Sequence, residues 1–176
     1  MTAVPSKAEK SSSPFWQFSV KFYAVPGVAP ACIRLQDEAG VDVNVLFFLL
    51  WNATQRRSLS EAEVKEADRA VAAWRSTTVI PLREMRRALK SAPPIVDRDT
   101  AEAFRNRIKA AELEAERLEQ EALYALAQSD RFGTTGAAPL DAARASIAAY
   151  ATLLRPLPGE PLETILAAFA QHCGNG

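Results

Sequence analysis

Apolar positions recur every three or four residues along most of the chain, and no stretch sustains the alternation expected of a half-buried strand. Successive helices are therefore predicted. The first spans about residues 14 to 25, with Phe15, Phe18, Phe22 and Val25 at helical spacing beside Trp16 and Tyr23, and Pro26-Gly27 ends it. Pro30 restarts the chain at an early helical position, with Val28, Cys32 and Leu35 on one face and Gly40 as a C-terminal stop. The segment VNVLFFLLW at residues 43 to 51 is apolar on every side. It predicts a central helix, capped by Asp42 and running on to Arg56 and Arg57.

Ser60 and Glu63 have capping-box spacing, and Val64, Ala67, Val71, Trp74 and Thr78 continue from them as a regular seam. Pro81 interrupts that seam and Leu82, Met85 and Leu89 resume it, which predicts a kinked helix or two consecutive ones ending before Pro93-Pro94. The longest helix is expected over residues 99 to 128, its seam formed by Phe104, Ile108, Ala111, Ala115, Leu118, Ala122 and Ala125. Such a seam is half of a helical hairpin or a dimer element. The short loop that follows favours burial within the same chain, and with it a monomer. Two further helices, about 140 to 154 and 162 to 172, are separated by RPLPGEP. The pattern as a whole predicts an all-α single domain of seven or eight helices over residues 14 to 172, with tails at 1 to 13 and 173 to 176.

A chain of 176 residues can bury a self-sufficient core. Its formal net charge is zero and its pI about 6.6, which argues against a protein that coats nucleic acid or anionic lipid. The longest apolar run falls well short of the roughly 20 residues needed to span a membrane, so no membrane insertion is expected. Cys32 and Cys173 are read as free thiols, Cys32 as a small buried hydrophobe, and no secretory signal opens the sequence; a cytoplasmic location follows. The single histidine, His172, lies near the C-terminus, where a catalytic triad or a histidine-based metal site is not expected. There is no phosphate-binding glycine loop, cysteine cluster or glycine-flanked serine elbow. No metal or cofactor is predicted, and the reading leans away from an enzyme.

Two clusters could carry chemistry. In LQDEAGVDVN, Gln36, Asp37, Glu38, Asp42 and Asn44 crowd a helix junction just before the most apolar helix. Polar groups beside such a core need partners. Either Asp42 is a cap and Asn44 a hydrogen-bonding bracket, with Asp37 and Glu38 in a solvated turn, or Asp37, Glu38 and Asp42 are oxygen ligands for a hard cation or general acid/base groups. The second cluster is basic: Arg75 beside Trp74, then Arg83, Arg86, Arg87 and Lys90, which follow the spacing of one helical face while Leu82, Met85 and Leu89 occupy another. That stripe either solvates a helix or docks a phosphate, a carboxylate or an acidic protein surface.

Taken in order, FWQFS, Tyr23, PGV, AC, LQDEAGVDVN, Trp51, Trp74-Arg75, PLREMRR and Leu89-Lys90 resemble a bacterial family, domain-of-unknown-function family 2390, over about residues 15 to 90. The resemblance implies a small helical bacterial protein and brings no site assignment with it. From the residues alone two functions stand open. One is a non-enzymatic interaction or regulatory protein using the basic stripe on a protein partner. The other is an anionic small-molecule binder, or an enzyme, whose site joins Gln36, Asp37, Asp42 and Asn44 to Arg75, Arg83 and Arg86. Convergence of these groups on unfilled volume would favour the second.

Overall fold

The computed structural model describes residues 12–91, 95–129 and 132–174. The expected tail over residues 1 to 11, the Pro93-Pro94 break and residues 175 and 176 lie outside them. Eight α-helices are present among the described residues: α1 (Pro14–Tyr23), α2 (Val28–Ala39), α3 (Val43–Thr54), α4 (Glu61–Trp74), α5 (Ile80–Ala88), α6 (Arg98–Ala127), α7 (Pro139–Ala151) and α8 (Gly159–Gly174). The all-α bundle read from the sequence is what the chain forms. Both ends of the domain reach slightly further than expected: Ser13 is buried and caps α1, and α8 carries on through Cys173 and Gly174. Among the described residues no helix is long and apolar enough to cross a membrane.

The caps explain where the helices start. The Ser13 hydroxyl accepts from the Trp16 amide ahead of Pro14, Ser60 and Glu63 complete their capping box, and Asp97 caps α6 by accepting from the Thr100 amide. Gly40 ends α2 at φ 76°, a left-handed conformation that suits glycine and turns the chain directly into α3. The α3 helix is buried from Asn44 to Ala53 and is flanked by α1, α6 and α7, while α2 packs on α8. A two-residue antiparallel pairing that the sequence did not announce, β1 (Arg57–Ser58) with β2 (Thr134–Thr135), ties the end of α3 to the loop after α6. Arg57 also donates to the Ala127 carbonyl at the C-terminus of α6, so it caps a helix and lies apart from the basic stripe.

Between α4 and α5 the chain stays helical but widens into a π-turn over Arg75–Val79, with the Ile80 amide donating to the Arg75 carbonyl. This is the irregularity expected near Pro81. The Ser76 and Thr77 hydroxyls both donate to the Ala73 carbonyl along the widened segment.

The predicted seam of α6 is corrected. Of its seven positions only Ala115 is buried; Phe104 and Leu118 are more than two-fifths exposed, and Ala111, Ala122 and Ala125 are exposed too. The face turned inward is Glu112, Ala115, Glu119, Gln120, Leu123 and Ala127. Apolar periodicity misled because the buried face of this helix is polar for half its positions. Its hydrophobic stripe therefore gives no ground for a monomer. Leu118→Ala is expected to change stability by less than about 1 kcal/mol, whereas Leu123→Ala, at a fully buried position, should cost about 2 to 5 kcal/mol. Denaturant unfolding of the two variants checks the assignment.

Candidate functional site

The α5 helix has no buried residue, so the apolar core does not hold it. Its arginines do. Arg83 Nε lies 3.3 Å from Glu112 Oε1 and its Nη2 2.9 Å from Glu116 Oε1. Arg86 grips both oxygens of Glu112, with Nη2 3.1 Å from Oε1 and Nε on Oε2. Arg105, from α6, donates back to the Arg86 carbonyl. The basic stripe expected to face solvent is thus turned onto α6 at Arg83 and Arg86, while Met85, assigned to the opposite apolar face, is nearly half exposed. The reason is electrostatic: Glu112, Glu116 and Glu119 form an acidic row along one flank of α6, and a guanidinium can satisfy a half-buried carboxylate that no apolar face could. Arg87 reaches Asp37 on α2 at 3.3 Å, and Lys90 is exposed beyond this network.

Asp42 is the second centre. One of its oxygens caps α3 by accepting from the Asn44 and Val45 amides, and the other accepts from Arg75 Nη1 at 2.6 Å. Its own amide donates to the Tyr150 hydroxyl. Arg75 also meets Asp68 at 2.9 Å. From Asp42 a polar chain runs inward past the neighbouring Glu119: Asn44 Nδ2 donates to Glu119 Oε2 at 3.1 Å, and Gln120 Nε2 donates to Asn44 Oδ1 at 2.8 Å. Burial, with the Asp42 charge second, pushes the Glu119 carboxyl up to about 9. Glu119 therefore carries a proton at neutral pH. Its Oε1 is buried without a hydrogen-bond partner, which a neutral carboxyl tolerates better than a charged one.

The residues singled out from the sequence are therefore brought together, but through α6. Gln36, Asp42, Arg75, Arg83 and Arg87 line a recess of about 240 Å³. Beside it lies a larger cleft of about 570 Å³. Its floor includes Asn44, Phe47 and Gln120, its polar wall Arg83, Arg86, Glu112 and Glu116, and its apolar wall Val20, Tyr23, Ile33 and Leu113. Gln36, Arg83 and Arg87 border both cavities. Asp37 holds Arg87 without lining either one, and Lys90 stands outside both. The carboxylates do not gather as cation ligands: among the described residues no three of His, Cys, Asp and Glu are placed to hold a metal ion.

Sequence reading missed Glu112, Glu116, Glu119 and Gln120. The available signal was their i, i+4, i+7 and i+8 spacing, which puts them on one flank of the long helix. Neither cysteine is a poised nucleophile: burial pushes the Cys32 thiol up to about 12, and half-buried Cys173 is shifted the same way. His172 packs edge-on against Phe18 and Phe22.

A carboxyl whose folded pKa is raised binds a proton that the unfolded chain has released. Glu119 thus favours folding most at pH values below its ordinary value and progressively less as pH rises from there to about 9. Between those limits the loss is about 1.4 kcal/mol per pH unit for one proton. Glu119→Gln, which keeps the shape and a donor toward Asp42, should flatten this part of the profile and make the protein relatively more stable at pH 8 than at pH 5. Denaturant melts of wild type and variant across that range, read as a difference, check it.

No curated protein and no solved structure matches the chain. A family model described as protein of unknown function (DUF2390) matches residues 14–123, a span that reaches beyond the resemblance read from the sequence and includes every residue lining the two cavities. With more than half of its length matched, the chain belongs to this family.

Proposed function

We propose that the protein is a cytoplasmic, non-enzymatic binder of a small anionic molecule with an apolar body, held in the larger cleft between α1, α2, α3, α5 and α6. The observation carrying this reading is convergence. Polar groups from the residue 36 to 44 junction and from α5, distant in sequence, meet around unfilled volume rather than on opposite surfaces. The cleft lining holds four cations, Arg83, Arg86, Arg87 and Lys109, against two carboxyls, Glu112 and Glu116. Burial raises the Glu116 carboxyl despite the neighbouring Arg83, which weakens its opposition to an anion. Arg87 and Lys109 are the exposed cations of the set, suited to receive a carboxylate or phosphate at the rim, while Val20, Tyr23, Ile33 and Leu113 offer an apolar wall. The free thiols Cys32 and Cys173 support the reducing compartment.

Docking of a protein partner on the basic stripe has less support, because Arg83 and Arg86 already neutralise Glu112 and Glu116. Octanoate is a suitable probe. Titration followed by Trp16 fluorescence, since Trp16 lines the cleft, should show saturable binding. Changing Arg87 and Lys109 together to glutamine should weaken it at least about tenfold, with a stability change near the 0 to 1 kcal/mol of exposed pairs. Saturable binding that ignores both substitutions, or none of any aliphatic carboxylate or phosphate, overturns the proposal.

A further inference from the structure

Two buried polar atoms in residues lining the larger cleft have no hydrogen-bond partner: Ser19 Oγ and Gln120 Oε1. Each residue is only 3% exposed. Buried polar groups are nearly always paired, so an unpaired one on a residue that lines an unfilled cavity points to what the cavity receives. A hydroxyl such as Ser19 can donate or accept. A carbonyl oxygen such as Gln120 Oε1 can only accept, so the chemistry it calls for is specific.

The orientation of the Gln120 amide follows from its neighbours. Arg75 and two amides of α3 make Asp42 an acceptor at both oxygens, and the neighbouring Glu119 carboxyl presents Oε2 to Asn44. The Glu119 Oε2 atom is then an acceptor, and Asn44 must turn Nδ2 toward it. Asn44 Oδ1 in turn requires the donor of Gln120, which is Nε2. The relay runs in one direction and leaves the Gln120 oxygen as its free end. Flipping the Gln120 amide would set its oxygen against Asn44 Oδ1, acceptor against acceptor.

We infer that Gln120 is a specificity-determining residue of the cleft, and that its side-chain carbonyl selects a carboxylate whose body carries an N–H or O–H donor, such as an acylated amino acid. This rests on the proposed binding of an anionic molecule and narrows its class. A ligand lacking the donor leaves the Gln120 oxygen buried and unpaired in the complex, and sites built to pair a substrate N–H or O–H discriminate strongly against analogues without it.

The test compares N-octanoylglycine, which has an amide N–H, with N-octanoylsarcosine, which has a methyl group there, and with octanoate, all titrated into the wild-type protein by calorimetry. The expected result is at least about tenfold tighter binding of N-octanoylglycine than of N-octanoylsarcosine. That preference should disappear in Gln120→Met. Equal binding of the two acylated compounds, or a preference that survives in Gln120→Met, overturns the inference and leaves the anion-binding reading standing, as does binding of octanoate alone. Failure of all three to bind overturns both. The wild-type comparison decides the matter even where the variant does not fold.

Discussion

A carboxylate inside a helix interface loses its water and must find cations, and Glu112 finds two. It is only 6% exposed, and Arg83 and Arg86 close on it from α5. Much else follows from this contact. The α5 helix contributes nothing to the apolar core, so its position relative to α6 is set chiefly by these ion pairs. The widened π-turn before it brings the chain from α4, which is packed through Val64, Ala67 and Val71, to a helix packed through charge. The larger cleft has its polar wall where α5 and α6 are joined, and its apolar wall on α1, on α2 and at Leu113 of α6.

Asp42 does for the α2–α3 junction what Glu112 does for α5. A single carboxylate caps the central helix, holds Arg75 at the start of the π-turn and helps keep the Glu119 carboxyl of α6 raised. Removing one partner from such a buried arrangement typically costs about 3 to 5 kcal/mol, whereas replacing a whole network by apolar residues is often neutral. Stability alone therefore does not account for keeping so many charges inside. These charges surround two adjoining cavities, and an amide relay runs from Glu119 through Asn44 to Gln120, a residue lining the larger one.

Most of the fold was legible because it obeys apolar periodicity and capping. The all-round apolar run from Val43 is the buried central helix, and Asp42 and Ser60 cap where their side chains allow. The site was half legible. Gln36, Asp42, Asn44, Arg75, Arg83 and Arg87 stood out by charge and spacing and do line the cavities, but the helix that joins them was read by the wrong face. Periodicity assigns burial by hydrophobicity, so it placed Phe104 and Leu118 inside and passed over Glu112, Glu119 and Gln120, whose burial is possible only because each has a polar partner. Partners are a tertiary property. One segment seen alone shows a charge run, and only the pairing of α5 with α6 shows which of its charges are consumed.

The claim on which this account rests is that α5 is fastened to α6 through Arg86 and Glu112 as a buried pair, and a double-mutant cycle measures that directly. Unfolding free energies of wild type, Arg86→Gln, Glu112→Gln and the double variant give the coupling between the two side chains. The account predicts that Glu112→Gln costs about 3 to 5 kcal/mol by leaving Arg83 and Arg86 without their shared carboxylate, with a favourable coupling of about 1 to 3 kcal/mol to Arg86. Additive single effects of under about 0.5 kcal/mol, as expected of solvated surface charges, would contradict it.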